Sequence, residues 1–155
     1  MIYYQTKVSY TKEVGDGKFQ STKEVYLVRA LNYAEAESRI LEAVSVYSHD
    51  GLPECDIKKV RYVDVFRSDN PNADKFYKGR VIYTSFDGEG DNMKEKKISS
   101  LFLVQAWDIK SALQSLEKNL GGTASDWSIH TLSETQILDY YDFAIADARE
   151  AKTGK

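Results

Sequence analysis

The chain has 155 residues, a net charge of −3 and a single cysteine, Cys55. Such a length suffices for one ordinary domain with its own core, and the acidic balance argues against a general DNA-coating protein, which is usually basic. One cysteine excludes an intrachain disulfide and fits a reducing cytosol. No apolar run approaches the roughly 18 residues a membrane span needs, and the start Met1-Ile2-Tyr3-Tyr4-Gln5 lacks the charged and apolar regions of a signal peptide. A cytoplasmic location without membrane contact is therefore expected. The unusual count is 11 tyrosines, a residue that suits both sheets and binding surfaces because a large ring carries a polar tip.

Residues 2–14 alternate, with Tyr4, Thr6, Val8 and Tyr10 on one face and Gln5, Lys7, Ser9 and Thr11 on the other. A period of two predicts a strand with one buried face. Gly15-Asp16-Gly17 signals a turn, and a second strand over about 18–31 closes a hairpin. Asn32 followed by Glu35 predicts a helix start, as a capping-box variant. The helix is expected to run to about Tyr47. A polar link then leads to a third strand over about 55–67.

Arg67-Ser68-Asp69-Asn70-Pro71-Asn72 connects to a second set of elements. Tyr77, Val81 and Tyr83 share one face of a strand over 75–86, Asp87–Asn92 forms a hairpin loop, and a strand follows at 95–107. Asp108 caps a helix that ends near Leu120, where Gly121-Gly122 supplies a C′ glycine. A strand at 126–132 comes next. Ser133 with Gln136 then resembles another capping box, and Ile137, Tyr140, Tyr141, Ala144, Ile145 and Ala148 have helical spacing, which predicts a C-terminal helix over about 133–150.

The two sets say nearly the same thing. Tyr26-Leu27-Val28-Arg29-Ala30 returns as Phe102-Leu103-Val104-Gln105-Ala106, and Tyr33, Ala36, Ile40 and Val44 map onto Ile109, Ala112, Leu116 and Leu120, each 76 positions on. The fold class that follows is α+β: two tandem β-β-α-β repeats, about 1–68 and 73–132, related by a pseudo-two-fold axis within one compact domain, plus the C-terminal helix.

Motifs for catalysis are missing. An EF-hand reading of Asp87, Glu89 and Asp91 fails because its sixth and twelfth positions are Asn92 and Ile98. His49 and His130 belong to no spaced ligand cluster, and Cys55 beside a strand reads as a small buried hydrophobe. Asp139 and Asp142 have a spacing commonplace on an exposed helix face, and Gly121-Gly122-Thr123 lacks the length and lysine of a phosphate loop. The expectation is a protein that is not an enzyme, with no metal and no cofactor; an enzyme without a recognisable motif is the alternative.

Basic and aromatic residues are the candidate site. If Tyr4, Val8 and Tyr10 and likewise Tyr77, Val81 and Tyr83 face their helices, then Lys7, Lys78 and Arg80 point the other way. Arg29 lies among apolar neighbours, and the third strand adds Lys58, Lys59, Arg61 and Tyr62. The ligand-binding set is thus Lys7, Arg29, Arg61, Tyr62, Tyr77, Lys78 and Arg80. Guanidinium and ammonium groups hold phosphate oxygens and tyrosine rings stack on bases. Lysine stems on an ordinary solvated sheet face are the competing reading.

Several blocks occur in order: Tyr26-Leu27-Val28-Arg29-Ala30-Leu31 with Ala34-Glu35-Ala36-Glu37, then Asp56-Ile57-Lys58-Lys59, Lys75-Phe76-Tyr77-Lys78, Leu103-Val104-Gln105-Ala106 and Ser133-Glu134-Thr135-Gln136-Ile137. With these the chain resembles a family of uncharacterised small proteins, a domain of unknown function, from Bacteroidota and their phages and mobile elements. The resemblance implies an intracellular setting, the host cytoplasm for a phage-encoded copy, and carries over no catalytic residues. The functional expectation is a counter-defence protein that sequesters a nucleotide-like anionic ligand, with Lys7, Arg29 and Arg80 on phosphates and Tyr62 or Tyr77 stacking. The alternatives are an accessory protein on single-stranded nucleic acid, disfavoured by the charge, or an inhibitor of a host protein acting through a sheet edge or the tail helix. Self-association into a homo-oligomer is compatible with each.

Overall fold

The computed structural model describes residues 2–49, 51–121 and 126–143. In chain order these contain β1 (Ile2–Gly15), β2 (Lys18–Ala30), α1 (Tyr33–Ser45), β3 (Glu54–Val60) and β4 (Tyr62–Phe66). Next come β5 (Lys75–Asp87), β6 (Lys94–Ala106), α2 (Ile109–Leu120), β7 (Asp126–Glu134) and β8 (Ile137–Asp142), with a short 3-10 turn at Gly90–Asn92. The protein is α+β, mostly strand, with two helices and two four-stranded sheets among the described residues. The chain divides into two compact units. Unit 1 holds the chain up to Val60 and again from Gln136, and unit 2 is Arg61–Thr135.

Unit 1 is built on the sheet β3-β1-β2-β8. β1 and β2 pair from Ile2↔Ala30 to Gly15↔Lys18, and their turn uses Gly17 at φ 70°, a left-handed conformation that favours glycine. Even-numbered positions of β1 turn inward, as the alternation predicts. Tyr4 and Val8 join Tyr26, Val28 and Ala30 against Ala36, Ile40 and Val44 of α1, with Tyr10 half-buried at the margin. Thr6 lies in the same row with no exposure, and its hydroxyl donates to the Tyr26 carbonyl at 3.0 Å. Asn32 starts α1, its side-chain oxygen accepting the Glu35 N–H at 2.9 Å, so the predicted cap is the observed one.

Unit 2 is built on the sheet β4-β6-β5-β7. Tyr77, Val81, Phe102, Val104 and Ala106 pack on Ala112, Leu116 and Leu120 of α2. Asp108 caps α2 in a capping box with Ser111: the carboxylate accepts the Ser111 N–H at 2.7 Å, and the Ser111 hydroxyl oxygen accepts the Asp108 N–H at 3.1 Å. Gly121 is the C-cap of α2 in the right-handed region; Gly122, the other half of the expected glycine stop, lies outside the described residues.

Two sequence expectations fail here. The single third strand over 55–67 is two strands parted at Arg61. β3 pairs antiparallel with β1 as far as Tyr3↔Val60, whereas β4 pairs parallel with β6 from Tyr62↔Leu101. Alternation reports that a segment is extended and says nothing of its partner, so one pattern covered two sheets. The C-terminal helix is also wrong over its first part. Ser133 and Glu134 end β7, opposite Lys78 and Tyr77, and Ile137–Asp142 is β8, parallel to β2. Between them the Thr135 N–H and hydroxyl both donate to the Phe76 carbonyl, at 2.9 and 2.8 Å, so the supposed capping box is a bend. The remainder of that helix, 144–150, falls outside the described residues. With Ile137–Asp142 a strand, docking of a host protein through a helix on this stretch has no basis.

Candidate functional site

The candidate site sits on the face of unit 1 away from α1. In the register of the sheet, Lys7 stands opposite Val25 on one side and Asp56 on the other, and Gln5 stands opposite Lys58. Odd positions of β1 and even positions of β3 therefore share this face. They line a concavity of about 280 Å³ whose walls are Gln5, Lys7, Val25, Asp56, Ile57 and Lys58, together with Gln136 ahead of β8. Lys7, Asp56 and Lys58 are exposed, while Val25 is buried and forms an apolar floor. Two ammonium groups and one carboxylate leave the concavity with a charge of +1, and the two side-chain amides add neutral donors and acceptors.

Arg29 lies on the same face, four residues along β2 from Val25, which is about 13 Å of strand. Its guanidinium is committed elsewhere. Nη1 donates to Asp142 Oδ2 at 3.2 Å, and the group lies 5.9 Å from the centre of the Tyr3 ring. The Tyr140 hydroxyl donates to the same carboxylate oxygen at 3.2 Å. Partial burial alone would lower the Arg29 pKa, but the Asp142 carboxylate outweighs it and the net shift is upward. This cluster ties β8 to β2.

The other predicted residues belong to unit 2. Arg61 is exposed between β3 and β4, and Tyr62 is half-buried at the start of β4, where burial raises its pKa. Lys78 and Arg80 share the face of β5 away from α2; Lys78 is exposed, and Arg80 Nη1 donates to Ser99 Oγ at 2.8 Å. Tyr77 requires a correction. At 5% exposure it is part of the core under α2, and its ring is not available to stack on a ligand. The predicted set is thus split, two residues in unit 1 and five in unit 2.

Sequence reasoning left Gln5, Asp56 and Gln136 out of the site. A signal for Asp56 existed: once β3 is taken as antiparallel to β1, the parity that puts Lys58 on the open face also puts Asp56 there. Gln136 carries none, because its spacing from Ser133 reads as a helix cap. Cys55 is half-buried on the other face, and burial followed by the nearby Glu37 and Asp56 carboxylates pushes its thiol up to about 11. A thiol so shifted is almost entirely protonated at neutral pH and is a poor nucleophile.

A family model described as a domain of unknown function (DUF4494) matches residues 2–143. The chain belongs to this family. Comparison with the curated proteins and with the solved structures gives no match. Among the described residues no helix is long and apolar enough to cross a membrane, and no three or more His, Cys, Asp or Glu residues gather as a metal site.

Proposed function

We propose that this member of the DUF4494 family is a non-catalytic binding protein that holds a nucleotide-like anionic ligand in the concavity of unit 1. The observation that carries the reading is the pairing of Lys7 and Lys58 on one sheet face around an apolar floor, with Gln5 and Gln136 beside them. Ammonium groups serve as point charges for a phosphate, the amides serve the polar edge of a ring, and Val25 serves its face. A volume of about 280 Å³ lies at the small end of ligand sites. It suits one mononucleotide moiety better than a tracking strand of nucleic acid. In a phage or mobile-element setting, sequestering a nucleotide-type defence signal of the host is the biological form of this proposal.

The proposal includes a duplicated scaffold, in which each half repeats one arrangement of strands and helix. Supporting it, each sheet is an antiparallel hairpin flanked by an antiparallel strand on one side and a parallel strand on the other. The parallel pairings share a register slip, between Val25 and Tyr26 in one and between Tyr62 and Asp64 in the other.

Titration calorimetry against a panel of cyclic and linear nucleotides tests the function. Saturable heat with at least one of them, lost in the Lys7→Ala/Lys58→Ala variant, is the expected result. Absence of heat across the panel removes the proposal, and binding that the variant retains removes the site. Affinity that rises with oligonucleotide length and collapses between low and moderate salt would favour single-stranded nucleic acid instead.

A further inference from the structure

In unit 2, β6 outruns its outer neighbour. β5 pairs with it from Lys75↔Ala106 to Asp87↔Lys94, whereas β4 covers the other side only from Leu101 to Val104. From Lys94 to Ser99 every residue is exposed, and among the described residues no strand pairs with this stretch on the side away from β5. The open edge is about 20 Å long, with about three N–H and three carbonyl groups turned outward. We propose that it takes up an extended acidic segment of a partner protein as an added strand.

Phe102 and Val104 pack under α2, and the β5–β6 register has no slip between them and Lys94, so Lys94, Lys96 and Ile98 carry the same face. Glu95, Lys97 and Ser99 carry the other, where the side chains are already engaged. Lys97 Nζ lies 4.0 Å from Glu95 Oε1, and Ser99 Oγ accepts from Arg80 Nη1 at 2.8 Å. On the α2 face Lys94 and Lys96 stand opposite Asp87 and Ser85 of β5, and among the described residues neither ammonium has a carboxylate within 4.0 Å. A strand added outside β6 meets the β6 side chains at about 5 Å and those of β5, Asp87 included, only at about 10 Å. Its neighbours on this face are therefore two ammonium groups and then Ile98, which is 46% exposed.

The charges choose the partner. Lysines on a free edge oppose pairing with a like strand, and a second copy laid antiparallel across the middle of this stretch would set Lys96 against Lys97. A strand with carboxylates at alternate positions instead meets Lys94 and Lys96 with opposite charge, and an aliphatic residue two places further covers Ile98. Nucleic acid would satisfy the lysines and leave the outward N–H and carbonyl groups without a main-chain partner. The protruding part of β2 makes a contrast: it too has no described strand beyond β1 before Val25, but its Lys18 and Lys23 fall on opposite faces. The proposal stands whether or not a nucleotide binds in unit 1.

Fluorescence anisotropy of a labelled peptide of alternating glutamate and valine, about six residues long, titrated with the full chain, tests the assignment. Saturable binding is expected, weakened about tenfold by Lys94→Glu/Lys96→Glu and unchanged by Lys18→Glu/Lys23→Glu. The Lys94→Glu/Lys96→Glu variant should instead take up a peptide of alternating lysine and valine, which separates reversed charge from a lost fold. An acidic probe N-methylated at every residue should not bind, because its main chain has no donors left to pair. No binding of the acidic probe overturns the proposal, as does binding that survives N-methylation or that the two double variants affect equally. An oligothymidylate that needs Lys94 and Lys96 while the peptide stays silent overturns the partner class.

Discussion

Gly79 shows how closely unit 2 is packed, and changing it makes a sharp test. It lies in β5 opposite Phe102, under α2, and a Cβ built on it would stand 2.8 Å from Leu116 Cδ2 and 3.6 Å from Leu132 Cδ1. Leu116 is wholly buried, so its methyl must shift within a packed core. Overpacking of this kind costs about 1–3 kcal/mol. Because the Gly79 backbone is not left-handed, alanine also gains roughly 0.4–1 kcal/mol by restricting the unfolded chain. The net expectation for Gly79→Ala is a loss of about 1–2 kcal/mol. Leu116→Ala alone should lose about 2–5 kcal/mol as a cavity opens. In the double variant the new methyl enters that cavity, so the two costs should couple favourably by about 0.5–2 kcal/mol. Urea unfolding followed by tryptophan fluorescence is the assay, since Trp107 and Trp127 both lie in unit 2. A Gly79→Ala protein as stable as the parent, with strictly additive costs in the double variant, would refute the packing argument.

Thr6→Val keeps the shape of a fully buried side chain but removes the donor to the Tyr26 carbonyl, and urea titration should show a loss of about 1 kcal/mol. Arg29→Ala leaves the Asp142 carboxylate without its guanidinium at 7% side-chain exposure. It should speed hydrogen exchange of the 137–142 amides by more than that of β1, and uniform exchange across the sheet would contradict the tie. The Ser111 N–H, then its hydroxyl, hold the Asp108 carboxyl below its ordinary value, with Lys110 and Lys75 adding to the effect. A depressed acid contributes stability above its unfolded pKa of about 3.9 and loses it as pH falls through the lower folded value. Thermal melts from pH 6 to pH 2 should therefore show an acid-side loss in the parent that Asp108→Asn lacks, and identical pH profiles would count against the cap.

The site was legible in parity and illegible in allegiance. Alternation along β1 correctly put Lys7 on the face away from α1, and the same rule placed Lys78 and Arg80 on the outer face of β5. It also put Tyr77 in the core row, so including Tyr77 as a stacking ring set composition above parity. Arg29 is the subtler case. Its face follows from alternation, but its partner Asp142 is 113 positions away on a strand that the pattern presented as helix. A charge whose neighbour is not visible looks unengaged, and an arginine on an apolar run then resembles a ligand site. Cross-strand pairing, which sequence does not display, made it a structural tie.

The tail explains why that strand was hidden. Val25 pairs with Ile137 and Tyr26 with Asp139, so Leu138 is an extra residue in β8. Beyond this bulge the side chains change parity. Ile137 beside Val25 and Tyr140 beside Leu27 then fall on one face although three positions apart, and both are buried. Tyr141 turns to the other face, where it meets Tyr26 and stacks with Phe143 at 5.9 Å against the α1 core. A parallel edge strand buried in part on both faces, with one bulge, thus places apolar residues at 137, 140 and 141. Those offsets of three and four define an amphipathic helix in any periodicity argument. What breaks the degeneracy is pairing: the carbonyls and N–H groups of β2 facing β8 need partners inside the unit, and a helix over 137–142 would supply none. Counting unpaired strand edges in the sheet β3-β1-β2, rather than apolar spacing in the tail, is the argument that asks for β8.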